Sequence, residues 1–209
     1  MRILITAGPT REYLDDVRFL SNASSGQMGY AIAASCLKAG HEVVLVSGPV
    51  MLTPPEGCEL VPVETTSDLE EACMAHFPNC DGVIAAAAVC DYRPKERAKG
   101  KLKKTGSTVV FEMVETTDVL AALGKIKAPN QWILGFALES QDARQNAMRK
   151  LKKKNCDFIV LNNTSAIGSE SNKVEVLDEN GDTATRFIGL KPDIAEGLAA
   201  WLTDKFQTE

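Results

Sequence analysis

Positive charge is in short supply in this chain. Its 23 Lys and Arg face 28 Asp and Glu, for a formal net charge of −5. A nucleic-acid polymer is therefore not an expected partner, because tracking a phosphate backbone takes a basic face. No apolar run approaches the roughly 18 residues of a membrane span. The N-terminus enters a polar-flanked strand without a signal peptide's apolar core, so no membrane role and a cytoplasmic location are expected. The six cysteines include no C-x-x-C pair, and the two histidines, His41 and His76, give no zinc spacing. Cys36, Cys73 and Cys90 sit in apolar settings and read as reduced thiols acting as small hydrophobes. Also missing are G-x-G-x-x-G, a Tyr-x-x-x-Lys pair and a Ser/His/Asp set. With 44% hydrophobic and 6% aromatic residues over 209 positions, residues 1–209 read as one domain with ample core.

What is present begins at Arg2-Ile3-Leu4-Ile5-Thr6-Ala7-Gly8, a buried parallel strand running into a glycine turn. The chain then detours through Pro9 to Phe19 before reaching Ser21-Asn22-Ala23-Ser24-Ser25-Gly26-Gln27-Met28-Gly29. The apolar run Tyr30 to Leu37 follows. Hydroxyls and glycines at a helix start make an anion cradle, since the first backbone N–H groups lack internal partners and the dipole favours phosphate. The plainer alternative is that Ser24 or Ser25 caps the helix and that Gly26 and Gly29 only pack.

Alternation continues to the C-terminus. Helices are expected over Gly26–Ala39, Asp68–His76 (capped by Ser67, with Glu70 at capping-box spacing), Asp118–Ile126, Asp142–Lys154 and Pro192–Phe206. Strands are expected over Glu42–Ser47, Leu60–Val63, Asp81–Ala88, Val109–Met113, Trp132–Phe136 and Phe158–Leu161, with a hairpin of Lys173–Leu177 and Thr185–Ile188. The fold class is α/β: a Rossmann-like, doubly wound, mostly parallel sheet with helices on both faces and an antiparallel edge hairpin.

In such sheets ligands sit beyond the C-terminal strand ends. There Ala87-Ala88-Val89-Cys90-Asp91 offers backbone amides and a carboxylate suited to a base, a ribose or a metal, or to capping the next turn. The segment Lys95 to Gly106 is basic and glycine-bounded within an acidic protein. It reads as a solvated face or as a lysine-bearing lid over a triphosphate. Phe136, at another strand end, is placed to stack on a base or to join the core. Lys150 and Lys154 lie one turn apart on one helix face, as a phosphate clamp or as a wet basic surface.

Several long motifs in register resemble the bacterial phosphopantothenate–cysteine ligase family. They are I-T-A-G-P-T-R-E at Ile5 to Glu12, V-R-F-L-S-N-A-S-S-G-Q-M-G at Val17 to Gly29 and V-S-G-P at Val46 to Pro49. A-A-V-C-D-Y-R at Ala87 to Arg93, K-L-K-K at Lys101 to Lys104 and G-F-A-L-E at Gly135 to Glu139 continue the match.

The resemblance implies a ligase that uses CTP, with Mg2+, to activate the carboxylate of 4′-phosphopantothenate as an acyl-cytidylate, after which L-cysteine's amine displaces CMP. It implies Asn22 on the acyl intermediate and Lys101 stabilising charge at the α-phosphate. Nucleotide contacts are implied for Ser24, Ser25, Gly26, Met28, Gly29, Ala87, Ala88, Asp91, Phe136, Lys150 and Lys154. Thr116, Thr117, Asp118 and Val119 stand where bacterial relatives often read N-P-D-I, so their contacts are expected through the backbone. Substrate contacts fall to Asn22, Ala88 and Arg18, the last reaching the other subunit's site in a homodimer. Relatives are often fused behind a flavin-dependent decarboxylase, so the chain reads as a stand-alone enzyme or an excised domain. No general base for cysteine's attack stands out, and no metal ligands are assigned. A nicotinamide-dependent reductase is the alternative enzyme, and a non-catalytic nucleotide module the alternative outside enzymes.

Overall fold

A computed structural model describes residues 1–139, 142–163 and 171–206. Among them eight strands build one sheet. These are β1 (Arg2–Ala7), β4 (Glu42–Ser47), β5 (Glu59–Pro62), β6 (Gly82–Ala85), β9 (Trp132–Glu139), β10 (Phe158–Asn163), β11 (Ser171–Leu177) and β12 (Thr183–Leu190). Their spatial order is β12-β11-β10-β9-β6-β1-β4-β5. The six strands from β5 to β10 run parallel, and β11 and β12 add an antiparallel hairpin at one edge. The class expected from alternation is the one observed.

Burial on both faces explains why the central strands are almost wholly apolar. Along β1, Ile3, Ile5 and Ala7 point into a core shared with Tyr30, Ile32, Ala33 and Cys36 of α1 (Gln27–Lys38) and with Ile194, Leu198 and Leu202 of α5 (Lys191–Phe206). Leu4 points the other way. It meets Leu69 and Cys73 of α2 (Thr66–His76), Leu123 of α3 (Val119–Ile126) and Leu151 of α4 (Ala143–Lys153). All six cysteines are free. Burial pushes the thiols of Cys36 and Cys73 up to about 12 and that of Cys156 to about 11, which suits packing rather than chemistry.

Three local expectations are corrected, and one stretch left unassigned gains structure. The detour after β1 contains a hairpin of its own, β2 (Arg11–Tyr13) with β3 (Phe19–Ser21), stiffened by Arg11 over the Phe19 ring and by Tyr13 edge-on to Phe19. α2 is capped by Thr65, whose hydroxyl accepts from the Asp68 N–H while the Asp68 carboxylate accepts from the Thr65 N–H. Ser67 and Glu70 instead lie inside the helix. The strand foreseen at Val109–Met113 is β8, Met113–Glu115, paired with β7 (Tyr92–Pro94) in a separate two-stranded ladder. Val109 and Val110 favour extended backbone but find no partner strand among the described residues, and Val110 is 86% exposed. β6 ends at Ala85, three residues earlier than expected, because the chain then turns to follow residues 6–10.

Candidate functional site at the sheet's switch point

From β1 the parallel order runs outward through β4 to β5 on one side and through β6 and β9 to β10 on the other. A crevice therefore opens between the C-terminal ends of β1 and β6, where such folds bind ligands. Its floor is the pairing of residues 6–10 with 86–90. Ala86 N–H donates to Thr6 O, Ala87 N–H to Thr6 Oγ1, Ala88 N–H to Gly8 O and Cys90 N–H to Thr10 Oγ1. Three of the amides expected to face a ligand, those of Ala87, Ala88 and Cys90, are thus engaged inside the protein. The carbonyls of Ala88, Val89, Cys90 and Asp91 also accept bonds from within the protein, so what this loop presents is chiefly alanine methyl and the Asp91 carboxylate.

Beside this floor lies a cavity of about 430 Å³. Nine of the residues singled out from sequence line it: Ala87, Asp91, Thr116, Thr117, Asp118, Val119, Phe136, Lys150 and Lys154. Four separate stretches of chain meet here. Asp118 caps α3 by accepting from the Ala121 N–H at 3.1 Å and pairs with Lys154 Nζ at 3.0 Å. Burial by itself would raise the Asp118 carboxyl; the Lys154 ammonium and the Ala121 amide outweigh it and hold the group low. Lys150 Nζ donates to the Phe136 carbonyl at 2.5 Å. Thr116 holds its N–H and hydroxyl inside the protein: the N–H donates to Asp91 O at 2.9 Å and the hydroxyl to Cys90 O at 2.5 Å. Its work is to tie the two loops together.

The cradle stands outside that lining, with Ser24, Ser25, Gly26, Met28 and Gly29 at the start of α1. The N-cap is Gly26, in left-handed backbone at φ 77°, and no side chain caps the helix. Ser24 Oγ instead accepts from the Gly26 N–H at 3.4 Å. The first turn of α1 thus keeps N–H groups without a side-chain acceptor, as an anion site requires. Gly29 does something else. A Cβ there would lie 2.6 Å from Ala7 Cβ, so this glycine lets α1 press onto β1. Asn22 joins cradle to loop, its Nδ2 donating to Ala88 O at 3.0 Å and Val89 O at 2.9 Å. Both amide hydrogens are therefore occupied, and Oδ1 is the atom left for a ligand.

Lys101 and Arg18 also lie outside the cavity. The basic segment is no free face; it docks on the turn between β2 and β3. Arg97 pairs with Asp16 at 2.9 Å and sits 4.8 Å above the Tyr13 ring, and Ala98 N–H donates to Leu14 O. Arg18 bonds Asp15 Oδ2 at 2.7 Å and the Leu102 carbonyl at 3.2 Å and 3.3 Å.

The family model described as "DNA/pantothenate metabolism flavoprotein C-terminal domain" matches residues 1–205. The chain belongs to this family. Within the DNA/pantothenate metabolism flavoprotein family it is 40% identical over 198 residues to the coenzyme A biosynthesis bifunctional protein CoaBC of Bacillus subtilis, covering 92% of this chain and 48% of that protein. It is also 40% identical over 202 residues to a cysteine/cysteine sulfinic acid decarboxylase of an unknown prokaryotic organism, covering 94% of this chain and 56% of that protein. The chain thus spans about half the length of the curated relatives it matches. A crystal structure of the C-terminal domain of CoaBC superposes with a TM-score of 0.83 at 38% identity, covering all of this chain and 98% of that one. A Cab2 variant in complex with phosphopantothenate-cysteine shares the fold at a TM-score of 0.78 and 16% identity, covering 99% of this chain and 87% of that one.

Sequence reasoning missed several of the cavity's lining residues. Lys153 adds a third lysine beside Lys150 and Lys154, and Tyr92 and Glu115, facing one another across β7 and β8, close one wall. The run Lys152-Lys153-Lys154 was a visible signal for the first. The β7–β8 pairing had none, since the two short strands lie far apart in sequence. Asp91 has no side-chain hydrogen bond or ion pair among the described residues, so the capping alternative does not hold for it. Among the described residues no three of His, Cys, Asp and Glu gather as a metal cage, and no helix is long and apolar enough to cross a membrane.

Proposed function

We propose that this chain joins 4′-phosphopantothenate to L-cysteine through an acyl-cytidylate made from CTP. The observation that carries the reading is the gathering of Ala87, Asp91, Phe136, Lys150, Lys154 and residues 116–119 into one cavity at the switch point. Family membership and relatives named for coenzyme A biosynthesis support it.

The carboxylate oxygen of phosphopantothenate attacks the α-phosphorus, the bond to the β-phosphate oxygen breaks, and pyrophosphate leaves. Cysteine's amine then attacks the acyl carbon, sheds a proton, and CMP departs. Neither half needs a protein nucleophile; both need placement and charge neutralisation. Phe136 offers a face to the cytosine and Asp91 an acceptor for ribose or base. Lys150, Lys153 and Lys154 oppose the phosphates, and Lys101 meets the charge that grows as pyrophosphate leaves. Asn22, its amide hydrogens held by Ala88 and Val89, offers Oδ1 to a donor on the acyl intermediate. The α1 N-terminus supplies N–H groups for a phosphate. Magnesium belongs in this reading on the triphosphate itself, in keeping with the absence of an all-protein cage among the described residues. A second copy of the chain and a decarboxylase partner, the latter suggested by relatives about twice this length, complete the proposal.

The test is pyrophosphate release with phosphopantothenate, magnesium and either CTP or ATP, with and without cysteine. Release with CTP, and amide on adding cysteine, is the expected result. Silence from folded protein under every combination would leave a nucleotide-binding module.

A further inference from the structure

Lys101 lines neither the 430 Å³ cavity nor the one formed by Leu102, Lys103 and Arg18, and it makes no hydrogen bond among the described residues, yet the residues on either side of it are gripped. On one side, Gly100 N–H donates to Asp16 Oδ2 at 2.8 Å, and Asp16 N–H returns a bond to Gly100 O at 3.4 Å. On the other, Leu102 N–H donates to Asp15 Oδ2 at 3.1 Å, and the Arg18 guanidinium holds Leu102 O from both Nη atoms. The side chain of Asp15 is 0% exposed. Four donors satisfy it, the N–H groups of Val17, Arg18 and Leu102 and the Arg18 guanidinium. A buried carboxylate is tolerated when it is fully bonded in this way.

A lysine is a point charge on four rotatable carbons, so its placement depends on its backbone. Here that backbone belongs to an irregular, strongly cationic segment with no strand or helix to define it. We propose that Asp15 and Asp16 are positioning residues for Lys101, clamping Gly100 and Leu102 so that the ammonium is aimed at the reaction. The proposal rests on the ligase reading for the role of Lys101, but the clamp itself is open to a test that does not. Arg18 completes the clamp within its own chain.

Two readouts decide it. Trypsin cuts after lysine, and cleavage of Lys101–Leu102 requires Leu102 to leave the clamp, so its rate follows the open population. Asp15→Asn, which puts an NH2 where an acceptor is needed, is expected to speed that cut by about tenfold or more while leaving distant cuts unchanged. In the coupled assay, its pyrophosphate release is expected to fall about 10-fold to 10²-fold in kcat, the scale of a small misplacement. The nucleotide KM should stay within about twofold. In a Lys101→Ala background the same substitution is expected to cost nothing further, because the group it positions is gone. Equal losses in both backgrounds, or unchanged cleavage at Lys101–Leu102, would overturn the clamp. Should Asp15→Asn fail to fold, Asp16→Ala on the exposed side releases Gly100 and Arg97. Unchanged cleavage there overturns the proposal equally. Wild-type protein without turnover would sink the ligase reading alone, leaving the cleavage comparison to decide the clamp.

Discussion

Asn22 Nδ2 lies 3.0 Å from the carbonyl oxygen of Ala88, 66 positions further along the chain. This bond, with its companion to Val89, is where the arm after the first strand meets the loop after β6. It settles which end of the asparagine amide faces the protein. A side chain that in isolation offers both a donor and an acceptor offers a ligand only the acceptor here.

Asn22→Asp should therefore be severe, because it removes an N–H donor from two carbonyls and sets a carboxylate against them. The expected fall in pyrophosphate release is about 10² or more, on the scale of a lost preorganised contact. A melting temperature close to wild type would show that the loss is local. Normal turnover would remove Asn22 from the site.

For Lys154, removal tests the phosphate reading of the cavity. Lys154→Ala should raise the nucleotide KM about tenfold, the worth of one charge-assisted contact, and the gap should narrow as salt is added. Titrating KM against ionic strength is the check. No change at low salt would make the Lys154–Asp118 pair purely structural.

Gly29 gives a prediction that separates packing from ligand binding. With a Cβ 2.6 Å from Ala7 Cβ, Gly29→Ala should destabilise the fold by about 1–3 kcal/mol through overpacking, a loss of several degrees seen by calorimetry. An unchanged melting temperature would return Gly29 to the cradle alone.

Thermal melts of Thr65→Ala and Ser67→Ala test the corrected helix start. The first should cost about 1 kcal/mol, since it removes the cap whose hydroxyl accepts from Asp68 N–H. The second should be near neutral. The reverse order would restore the start expected from sequence.

Acid sensitivity follows from two carboxylates. Burial would raise Asp15, but the Arg18, Val17 and Leu102 amides and the Arg18 charge hold it at about 2, against an ordinary 3.8. The Thr183 hydroxyl first, then Arg186 and Arg144, hold Glu175 at about 2 against 4.5, over the opposition of burial. Both groups bind protons more weakly folded than unfolded. Their contribution is thus complete above about pH 4.5 and lost as pH falls towards 2. Denaturant titrations across that window should show a slope that Glu175→Gln reduces.

The sequence by itself determined the sheet and its helices. Two-sided burial writes apolar runs such as Ile3 to Ile5 and Val43 to Val46, and the helices between them announce parallel crossovers. It also marked half of the cavity's lining, because those residues sit at strand and helix ends whose position follows from the alternation. Only the tertiary structure decided how the atoms are used. That the amides of Ala86, Ala87, Ala88 and Cys90 face inward depends on residues 6–10 lying alongside, a pairing with no local signal. That Thr65 rather than Ser67 caps α2 depends on where the chain leaves the sheet. The grip of Asp15 and Asp16 on the neighbours of Lys101 joins segments more than 80 positions apart. Periodicity reports which face of an element is buried; hydrogen bonds between distant loops leave no period to read.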